Sequence, residues 1–385
     1  MSRAGRVLVG RSVAELVGFR PGGDFTVGVE DELLLVDGDG ELGGDSAQLI
    51  ASMGDLGPST ASPEIFLSQV EFNTPACRDA TALGPHLSRC RGRLVAAGQL
   101  AIATGVHPTA QPGRFERTRS PRYDFLADEF AGVLRTPTSA FQVHVGMPDK
   151  ASLLAAYRRI RNELPVLRAL AAGSPYWHGS DSGLASARAA VIRSYPRVGV
   201  PPVLRSYDEY EAAVREEMGA GEVPDYTFVC WEVRPHPRFG TLEVRVMDAQ
   251  PSQHHAMWLV ALVRGLAMHA AESPPRADLP PAVLAANDFR ALRYGLDTRI
   301  VDVDGRMRPM RAIAADAIAD ARSALVGEED EDVLNAAEAY LDAEPEPQRQ
   351  RRVVGAHGMR GLLRDLVSRT VGNEWAPPVR CRGVV

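Results

Sequence analysis

The sequence predicts an α+β protein with a mainly antiparallel sheet, and three observations lead to this prediction. Short segments alternate apolar and polar residues as strands do, and longer segments carry apolar residues at helical spacing. The two kinds of segment do not alternate regularly along the chain, as they would in a parallel βαβ protein. The 385 residues are 45% hydrophobic and 24% charged, which suffices for a large core. We expect one domain over residues 1–385, with a lead-in at 1–23 and a mostly helical part at 305–385.

The first half of the chain contains three strand-like runs and two long helical runs. The lead-in segment carries a short helical pattern near Val13–Val17. Alternation predicts strands at 25–37, 67–73 and 139–147, and the spacing of Leu, Val and Ala predicts helices at 78–104 and 150–172. Residues 107–126 are rich in Pro, Arg and Thr, which predicts a long loop. Such a loop is either a lid over a binding site or a surface excursion.

The second half is mostly helical around one pair of strands. A Gly- and Ser-rich connection at 172–202 contains a short helix, and residues 226–248 predict two strands joined by a Pro/Gly turn. Helical patterns cover 207–219, 253–272, 311–325, 330–343 and 356–370. The acidic runs GEEDED (327–332) and DAEPEP (342–347) are typical of solvated surface.

Charge and cysteine content exclude several classes of protein. The net charge is −6 and no basic stripe is present, so a nucleic-acid surface is not indicated. The cysteines form no CxxC pair, which argues against a zinc cluster or a disulfide framework and fits a reducing cytosol; they are Cys77, Cys90, Cys230 and Cys381. No run of about 18 apolar residues is present, so we expect no membrane span. A cytoplasmic protein is the expectation.

Phosphate-binding loops are also missing from the sequence. Lys150 is the only lysine among 43 basic residues, and its surroundings, GMPDKAS, do not match a P-loop. No G-x-G-x-x-G follows a strand, so the dinucleotide-binding fingerprint is absent. If this protein handles phosphates, arginines and metal ions must do so.

The segment FTVGVEDELLLVD (25–37) carries acids within a strand pattern. Side chains alternate faces along a strand, so Val29 and Leu33 lie on an apolar face. Glu30 and Glu32 share the other face, where Gly28 leaves room above them. Four further segments have the same design, with the polar faces Gln69, Glu71 and Asn73; Gln142 and His144; Glu232 and Arg234; and Thr241, Glu243 and Arg245.

A single strand of this kind is usually one half-solvated strand of an antiparallel sheet. Five such strands are different, because solvated faces usually carry Thr, Ser, Lys and mixed charge rather than Glu, Gln, His and Arg. In one sheet, at least four carboxylates and an imidazole would converge, and their like charges would require cations. Glutamate oxygens suit Mg²⁺ or Mn²⁺, which commonly bridge substrate phosphates. The strands therefore predict the floor of a metal–nucleotide site.

These segments resemble those of a known family, the carboxylate–amine ligases, also called type 2 glutamate–cysteine ligases. The resemblance spans about 25–300 in the family's order, with a weaker match near 348–352; its motifs are GVEDEL, VEFNTP, QVHVGMPD, SPYWHGSDSGLASAR, WEVRPHPRFGTLEVRVMDAQ and RALRYGLD. It implies a fold related to glutamine synthetase, in which a curved antiparallel sheet forms an active-site basin and helices pack on the other face. It also implies one catalytic domain that uses ATP and Mg²⁺ (or Mn²⁺).

The resemblance assigns the metal ligands. Glu30 and Glu32 correspond to the paired acids of the first strand, and Glu71, His144 and Glu243 correspond to the remaining ligand positions. The family commonly has Glu between the paired acids, whereas this chain has Asp31. Because Asp31 faces the apolar side by alternation, we expect the metal assignment to stand.

The resemblance also assigns the arginines. Arg245 is expected to face the transferring phosphate and to act with Glu243 in catalysis. Arg193 and Arg197 are expected to contact phosphate or carboxylate groups, Arg193 as part of the catalytic set and Arg197 at the nucleotide. Arg234 flanks the Pro/Gly turn, where it either grips the nucleotide or rigidifies the turn.

The predicted reaction joins a carboxylate to an amine in two steps. ATP phosphorylates the carboxylate to an acyl phosphate, and the amine then displaces phosphate, with no protein nucleophile. By resemblance the partners are small molecules, the γ-carboxylate of glutamate and an amine such as cysteine, and the assembly is a homodimer. Two alternatives remain: a metal-dependent amide hydrolase using the same carboxylates, and a ligand-binding relative that has lost catalysis.

Overall fold

The computed structural model describes residues 17–113, 115–372 and 375–376, and it confirms the predicted α+β class. Its strands are β1 (Val27–Val36), β2 (Thr60–Pro63), β3 (Gln69–Asn73), β4 (Leu100–Ile102), β5 (Ala140–Gly146), β6 (Tyr176–Trp177), β7 (Ser180–Asp181), β8 (Val198–Gly199), β9 (Cys230–Trp231), β10 (Val233–His236), β11 (Thr241–Asp248), β12 (Arg299–Val301) and β13 (Met307–Pro309). Its helices are α1 (Ser46–Ser52), α2 (Ala80–Ala96), α3 (Pro121–Phe130), α4 (Lys150–Ala171), α5 (Ala187–Ile192), α6 (Tyr207–Ala220), α7 (Gln253–Glu272), α8 (Pro281–Tyr294), α9 (Met310–Ala324), α10 (Asp330–Asp342) and α11 (Glu346–Gly372). The short helix expected near Val13–Val17 lies outside the described residues, except for Val17 itself.

Seven of the described strands form one antiparallel sheet in the order β10–β11–β5–β1–β3–β2, and β4 pairs with the C-terminal end of β1. Strand β1 is central, since it pairs with β3 on one edge and with β5 and then β4 on the other. Residues that face each other across a ladder project from the same side of the sheet. The register of β1 therefore decides which polar side chains meet.

One face of the sheet is apolar and carries the core. The inward residues of the three central strands are fully or almost fully buried; they include Val27, Val29 and Leu33, Phe141, Val143 and Val145, and Leu242 and Val244. Helices α2, α4 and α7 pack on this side, and α7 also contacts α9 and α10. Each buried aliphatic side chain contributes about 1.5–3 kcal/mol relative to exposure. This layer holds the sheet rigid beneath its polar face.

The long helices begin at side-chain caps. Asp79 accepts a hydrogen bond from the backbone N–H of Ala82, and Asp149 accepts one from Ser152. Each cap satisfies a donor that the first helical turn leaves free, which stabilises the helix by about 1 kcal/mol. None of the described helices is long and apolar enough to cross a lipid bilayer.

The helix expected at 78–104 is too long. Helix α2 ends at Ala96, and Leu100–Ile102 instead forms β4 beside β1. Gly98 has a φ of +78°, which takes the chain out of the helix. A short apolar run is compatible with both the helical and the strand periodicity. The sequence therefore could not show where the helix ends and the strand begins.

Other differences involve segments with weak periodicity. Helix α3 begins inside the loop expected at 107–126, because the Ser120 hydroxyl caps its first turn at Tyr123. Helix α11 begins at 346 rather than 356 and contains a break at Gly358, whose φ is +66°. The sequence did not predict several further elements, which are α1, β2, α8 and the β12–β13 hairpin.

The two acidic runs are only partly solvated, which corrects the expectation of surface segments. Asp330 is fully buried at the start of α10, where it accepts hydrogen bonds from Ala80 and Arg264. Glu346 is buried at the start of α11 and pairs with Arg369. Partners distant in sequence compensate both charges, so composition alone misassigned them.

Candidate functional site

The polar face of the sheet gathers residues from six strands in register. Along one row, Arg234 of β10 faces Glu243 of β11, and Glu243 faces His144 of β5. His144 in turn faces Gly28 of β1, whose lack of a side chain leaves room beside the imidazole. The next rows add Gln142, Glu30 and Asn73, and then Glu32, Glu71 and Ser62. The alternation read from the sequence is thus confirmed for these residues. The expectation for Glu232 is wrong: it lies at a bend between β9 and β10, where alternation does not hold, and it is buried and pairs with Arg168 of α4.

Three potential ligands meet over β1, β5 and β11. One side-chain ligand atom from each of Glu30, His144 and Glu243 lies within 4.8 Å of the others. The His144 Nε2 atom is 3.1 Å from Glu30 Oε1, and its Nδ1 atom is 2.9 Å from the Thr241 hydroxyl. Burial opposes charge on His144, but the adjacent Glu30 carboxylate outweighs burial and raises the pKa of the imidazole. We call these three residues the first acidic cluster.

Glu243 is the best compensated acid of this cluster. Arg234 binds it in a forked pair, with the Nε to Oε2 distance at 2.7 Å, and Arg245 binds its other oxygen. Burial would raise the pKa of Glu243, yet the two guanidinium groups hold it well below the ordinary value. Glu243 is therefore a permanent anion that links Arg245 to the cluster.

A second group of carboxylates lies beside the first and consists of Glu32, Glu64 and Glu71. Glu32 accepts hydrogen bonds from Gln142 Nε2 at 2.6 Å and from the Ala140 N–H at 2.8 Å. Burial raises the pKa of Glu32, and burial together with neighbouring acids raises that of Glu71. Burial and the Glu32 charge raise the pKa of Glu64 to about 8. We call these three residues the second acidic cluster.

A cavity of about 450 Å³ opens beside the first cluster. Its lining includes Glu30, His144, Thr241, Arg238 and Phe239. The Phe239 ring is 50% exposed, which is unusual for so large an apolar side chain next to charged groups. The ring stacks on His236, with centroids 4.4 Å apart and planes at 10°. The cavity thus combines an aromatic wall with a carboxylate floor.

The predicted arginines occupy different positions. Arg245 is 26% exposed and borders the first cluster. Arg234 is buried and donates to Glu243 and to the carbonyls of Thr227 and Val229. Arg193 pairs with Asp288, and Arg197 pairs with Glu129 and the Phe228 carbonyl. The roles of these arginines stay predictions.

Two residues of the site, Glu64 and Arg188, escaped the sequence-based prediction, and Asp31 on the other face has a partner that the prediction missed. Glu64 lies just after β2, so no alternation marked it. Arg188 of α5 is buried, and its charge is the strongest influence keeping Glu32 ionised against burial. Asp31 faces the helices, as alternation indicates, but there it forms a buried pair with Arg91. Arg188 ends the motif SPYWHGSDSGLASAR, which was a sequence signal for it, whereas Glu64 lies in none of the motifs, so only the folded structure reveals its position.

The donor set fits hard divalent cations. Carboxylate oxygens with one imidazole match the ligands that Mg²⁺ and Mn²⁺ accept. Burial is the main cause of the raised pKa values in the second cluster, and repulsion between neighbouring acids adds to it, so positive charge would stabilise these carboxylates. A bound cation would supply that charge, with Glu30, His144 and Glu243 as its ligand group and with Glu32, Glu64 and Glu71 as negative charge beside it.

Cation binding should therefore be coupled to pH. Because the pKa of Glu64 is about 8 and that of Glu71 is also raised, binding must displace protons, so Mg²⁺ affinity should rise with pH up to about 8. Calorimetry at pH 7 in buffers of different ionisation enthalpy should show net proton release. Glu64→Gln should reduce that release, whereas the exposed Glu116→Gln should not. Equal proton release from both variants would contradict the coupling.

The same groups set the stability of the cation-free protein. Their folded pKa values lie above the ordinary value of 4.5, so the folded state binds more protons than the unfolded state between about pH 4.5 and 8. The free energy of unfolding should therefore fall as pH rises through this window. Thermal melts of Glu64→Gln should show a flatter pH dependence; an unchanged slope would contradict the prediction.

Comparison with known sequences shows the family of this chain. The model of the family described as Glutamate-cysteine ligase family 2 (GCS2) matches residues 26–369. The glutamate–cysteine ligase of Haloferax volcanii is 30% identical over 357 residues, covering 89% of this chain and 96% of that protein. A protein of Rubrobacter xylanophilus named as a candidate glutamate–cysteine ligase 2-1 is 34% identical over 303 residues, covering 76% of this chain and 81% of that protein.

Solved structures agree at the level of the fold. The glutamate–cysteine ligase of Francisella tularensis in complex with AMP has a TM-score of 0.71 and 11% identity, covering 94% of this chain and 91% of that chain. A bifunctional glutathione synthetase of Pasteurella multocida has a TM-score of 0.67 and 14% identity, covering 90% of this chain and 52% of that chain. The family match spans most of the sequence and includes every strand of the acidic face. The chain belongs to glutamate–cysteine ligase family 2.

Proposed function

We propose that this protein is an ATP-dependent carboxylate–amine ligase that joins the γ-carboxylate of glutamate to an amine such as cysteine. The observation that supports this most is the pair of acidic clusters bordered by Arg245 in a member of this family. A cation site with further carboxylates beside it and an arginine at its edge suits phosphoryl transfer, which needs positioning and charge neutralisation more than covalent catalysis.

The reaction would proceed through an acyl phosphate. A carboxylate oxygen of the substrate attacks the γ-phosphorus of ATP, and the bond to the β–γ bridging oxygen breaks as ADP leaves. The amine nitrogen then attacks the acyl carbon, and inorganic phosphate leaves. Mg²⁺ or Mn²⁺ held by the first cluster would neutralise the polyphosphate, and the partly exposed guanidinium of Arg245 would donate hydrogen bonds to the transferring phosphoryl group. Glu243 holds Arg245 in place for this role.

We place the nucleotide base in the cavity of about 450 Å³ beside the first cluster, and its aromatic wall supports this part of the proposal. If the phosphates bind to a cation held by Glu30, His144 and Glu243, the base and ribose lie within reach of the aromatic wall. The exposed Phe239 ring offers a flat apolar surface, and the Arg238 guanidinium lies 5.5 Å from its centre. A purine base stacks well on such a surface.

Phe239→Ala should raise KM for ATP about tenfold with little change in kcat, because stacking contributes about 1–3 kcal/mol per base. Steady-state kinetics with varied ATP provide the measurement. Phe289→Ala is the matched control, since Phe289 of α8 is similarly exposed at 52% but does not line this cavity. An unchanged KM in Phe239→Ala would place the base elsewhere.

The function itself is tested by a phosphate-release screen. The protein is incubated with ATP, Mg²⁺ and pairs of amino acids and amines, and ADP, phosphate and amide product are measured. A ligase should form them in equal amounts only when both the acid and the amine are present. Amide cleavage without ATP would instead identify a metal-dependent hydrolase. Stable ATP binding without turnover for any pair would identify a binding protein.

A further inference from the structure

Strand β11 contains a bulge at the residue that borders the first acidic cluster. Val244 pairs with Val143, and Met247 pairs with Phe141, so two residues of β11 oppose the single Gln142 of β5. The two residues of the bulge are Arg245 and Val246. A bulge interrupts the ladder, bends the strand and redirects a side chain, and bulges are frequent next to active sites. On the opposite edge, the Arg245 N–H still donates to the Glu232 carbonyl at 2.8 Å.

The side chain of Arg188 binds the carbonyl groups of the bulge. Its Nη2 atom donates to the Arg245 carbonyl at 3.1 Å, and its Nη1 atom donates to the Val246 carbonyl at 3.4 Å. A buried carbonyl without a partner would cost about 1–3 kcal/mol. One planar guanidinium reaches both carbonyl oxygens, whereas the single ammonium of lysine could not hold them in the same geometry.

Helix α5 is fixed to the end of the same strand. The Ser186 hydroxyl caps α5 and donates to the Asp248 carboxylate at 2.8 Å. The Ser174 hydroxyl donates to the other Asp248 oxygen at 2.7 Å and accepts from the Arg188 N–H. Ser186 and Asp248 are both buried. Arg188 therefore reaches the bulge from a rigid support.

Burying the Arg188 guanidinium in this way is energetically unfavourable, so stability alone does not explain it. Arg188 is only 6% exposed, and the nearest carboxylate that pairs with it, Asp248, lies 3.9 Å away. Its Nε atom has no hydrogen-bond partner within the part of the chain that the structure describes. Burying a guanidinium with so little compensation is unfavourable. A regular ladder at this point would need no such residue, but it would also present Arg245 differently.

We propose that Arg188 is a positioning residue that holds the bulge of β11 and thereby fixes the direction in which Arg245 points toward the transferring phosphoryl group. The inference rests on the proposed ligase function. Arg188 acts through Arg245: it sets the backbone that carries this side chain, while Glu243 holds the guanidinium at its other end. A shift of the bulge would move the arginine away from the developing charge, which matters most in the transition state.

Arg188→Gln should lower kcat about 30- to 100-fold while KM for ATP changes less than about threefold. The reason is that a misdirected Arg245 loses its contact with the phosphoryl group chiefly in the transition state. Arg188→Lys should keep the positive charge but lose the two-pronged hydrogen bonding of the guanidinium. Its kcat should therefore lie between the values for Arg188→Gln and the unaltered protein. In an Arg245→Gln background, adding Arg188→Gln should cost less than about threefold more, because the positioned group is already gone.

Arg161→Gln is the matched control. Arg161 is fully buried and donates to two backbone carbonyls, those of Pro201 and Leu279, at 2.8 and 2.9 Å. The Arg161→Gln substitution should lower Tm without lowering kcat per folded molecule. The inference is overturned if Arg188→Gln keeps full kcat, or if its effect multiplies undiminished with that of Arg245→Gln. If the unaltered protein shows no ATP-dependent ligation, the proposed function fails instead, so the two failures are distinguishable.

Discussion

Replacing Glu30 with Gln should lower ATP-dependent turnover about 10³-fold, the scale of losing one preorganised electrostatic contact to the reacting groups. Among the residues that the structure describes, no arginine binds Glu30, and its side chain pairs with His144 at 3.1 Å. Burial would raise the pKa of Glu30, but His144 outweighs burial and lowers it. The group is thus an anion available to a cation. Gln keeps the shape of the side chain and removes the charge.

The same substitution should change the stability of the folded protein only slightly. The pair with His144 favours the charge of Glu30, as the lowered pKa shows, whereas repulsion by this charge helps to raise the pKa values of Glu71 and Glu32. Turnover, Mg²⁺ titration and thermal melting of Glu30→Gln should therefore show lost activity, weaker Mg²⁺ binding and at most a small fall in Tm.

The control is Glu338→Gln, a remote surface acid of α10 that pairs with Arg322 and should behave like the unaltered protein. Full turnover by Glu30→Gln would show that the metal assignment is wrong. A large fall in Tm together with lost activity would mean that Glu30 is structural.

Arg91→Leu should lower the free energy of unfolding by about 3–5 kcal/mol, the range for leaving one partner of a buried ion pair uncompensated. Arg91 of α2 and Asp31 of β1 are fully or almost fully buried and form two parallel hydrogen bonds, at 2.9 and 3.0 Å. Arg91 also donates to the carbonyls of Gln250, Pro251 and Thr370. One guanidinium thus connects the central strand to α2, α11 and the segment before α7.

Urea unfolding provides the measurement. In the double variant Asp31→Leu/Arg91→Leu, most of the loss should be recovered, because no unpaired charge remains buried. Arg352→Leu is the control: Arg352 pairs with Glu344 on the surface, where such pairs contribute about 0–1 kcal/mol. If Arg91→Leu costs no more than Arg352→Leu, the pair does not hold the strand in place.

The central strand β1 shows what the alternation of apolar and polar residues can predict. Alternation along 25–37 correctly separated Glu30 and Glu32 from Val29 and Leu33, and it placed Asp31 toward the helices. Alternation could not say what Asp31 meets there, because Arg91 lies 60 residues away in sequence. The polar face was predictable since it depends only on a two-residue period, whereas the ion pair depends on how a helix packs.

The arginines show the opposite case. The motifs named Arg193, Arg197, Arg234 and Arg245 together, yet of these only Arg234 and Arg245 bind a member of the acidic clusters. A long arginine side chain can reach several alternative partners. Those partners come from helices and loops whose positions cannot be predicted from the sequence pattern. Loop geometry therefore separated residues that the motifs had grouped.

The sequence by itself determined the α+β class, the family, and the strand face that bears Glu30, Glu32, Glu71, His144 and Glu243, because side-chain period and motif order are local properties. The tertiary structure alone decided the register that joins Glu30, His144 and Glu243, the addition of Glu64 to the second cluster, and the bulge that Arg188 holds. These features depend on contacts between distant segments. Their free energy comes from burial, pairing and repulsion of charges that meet only in the folded chain.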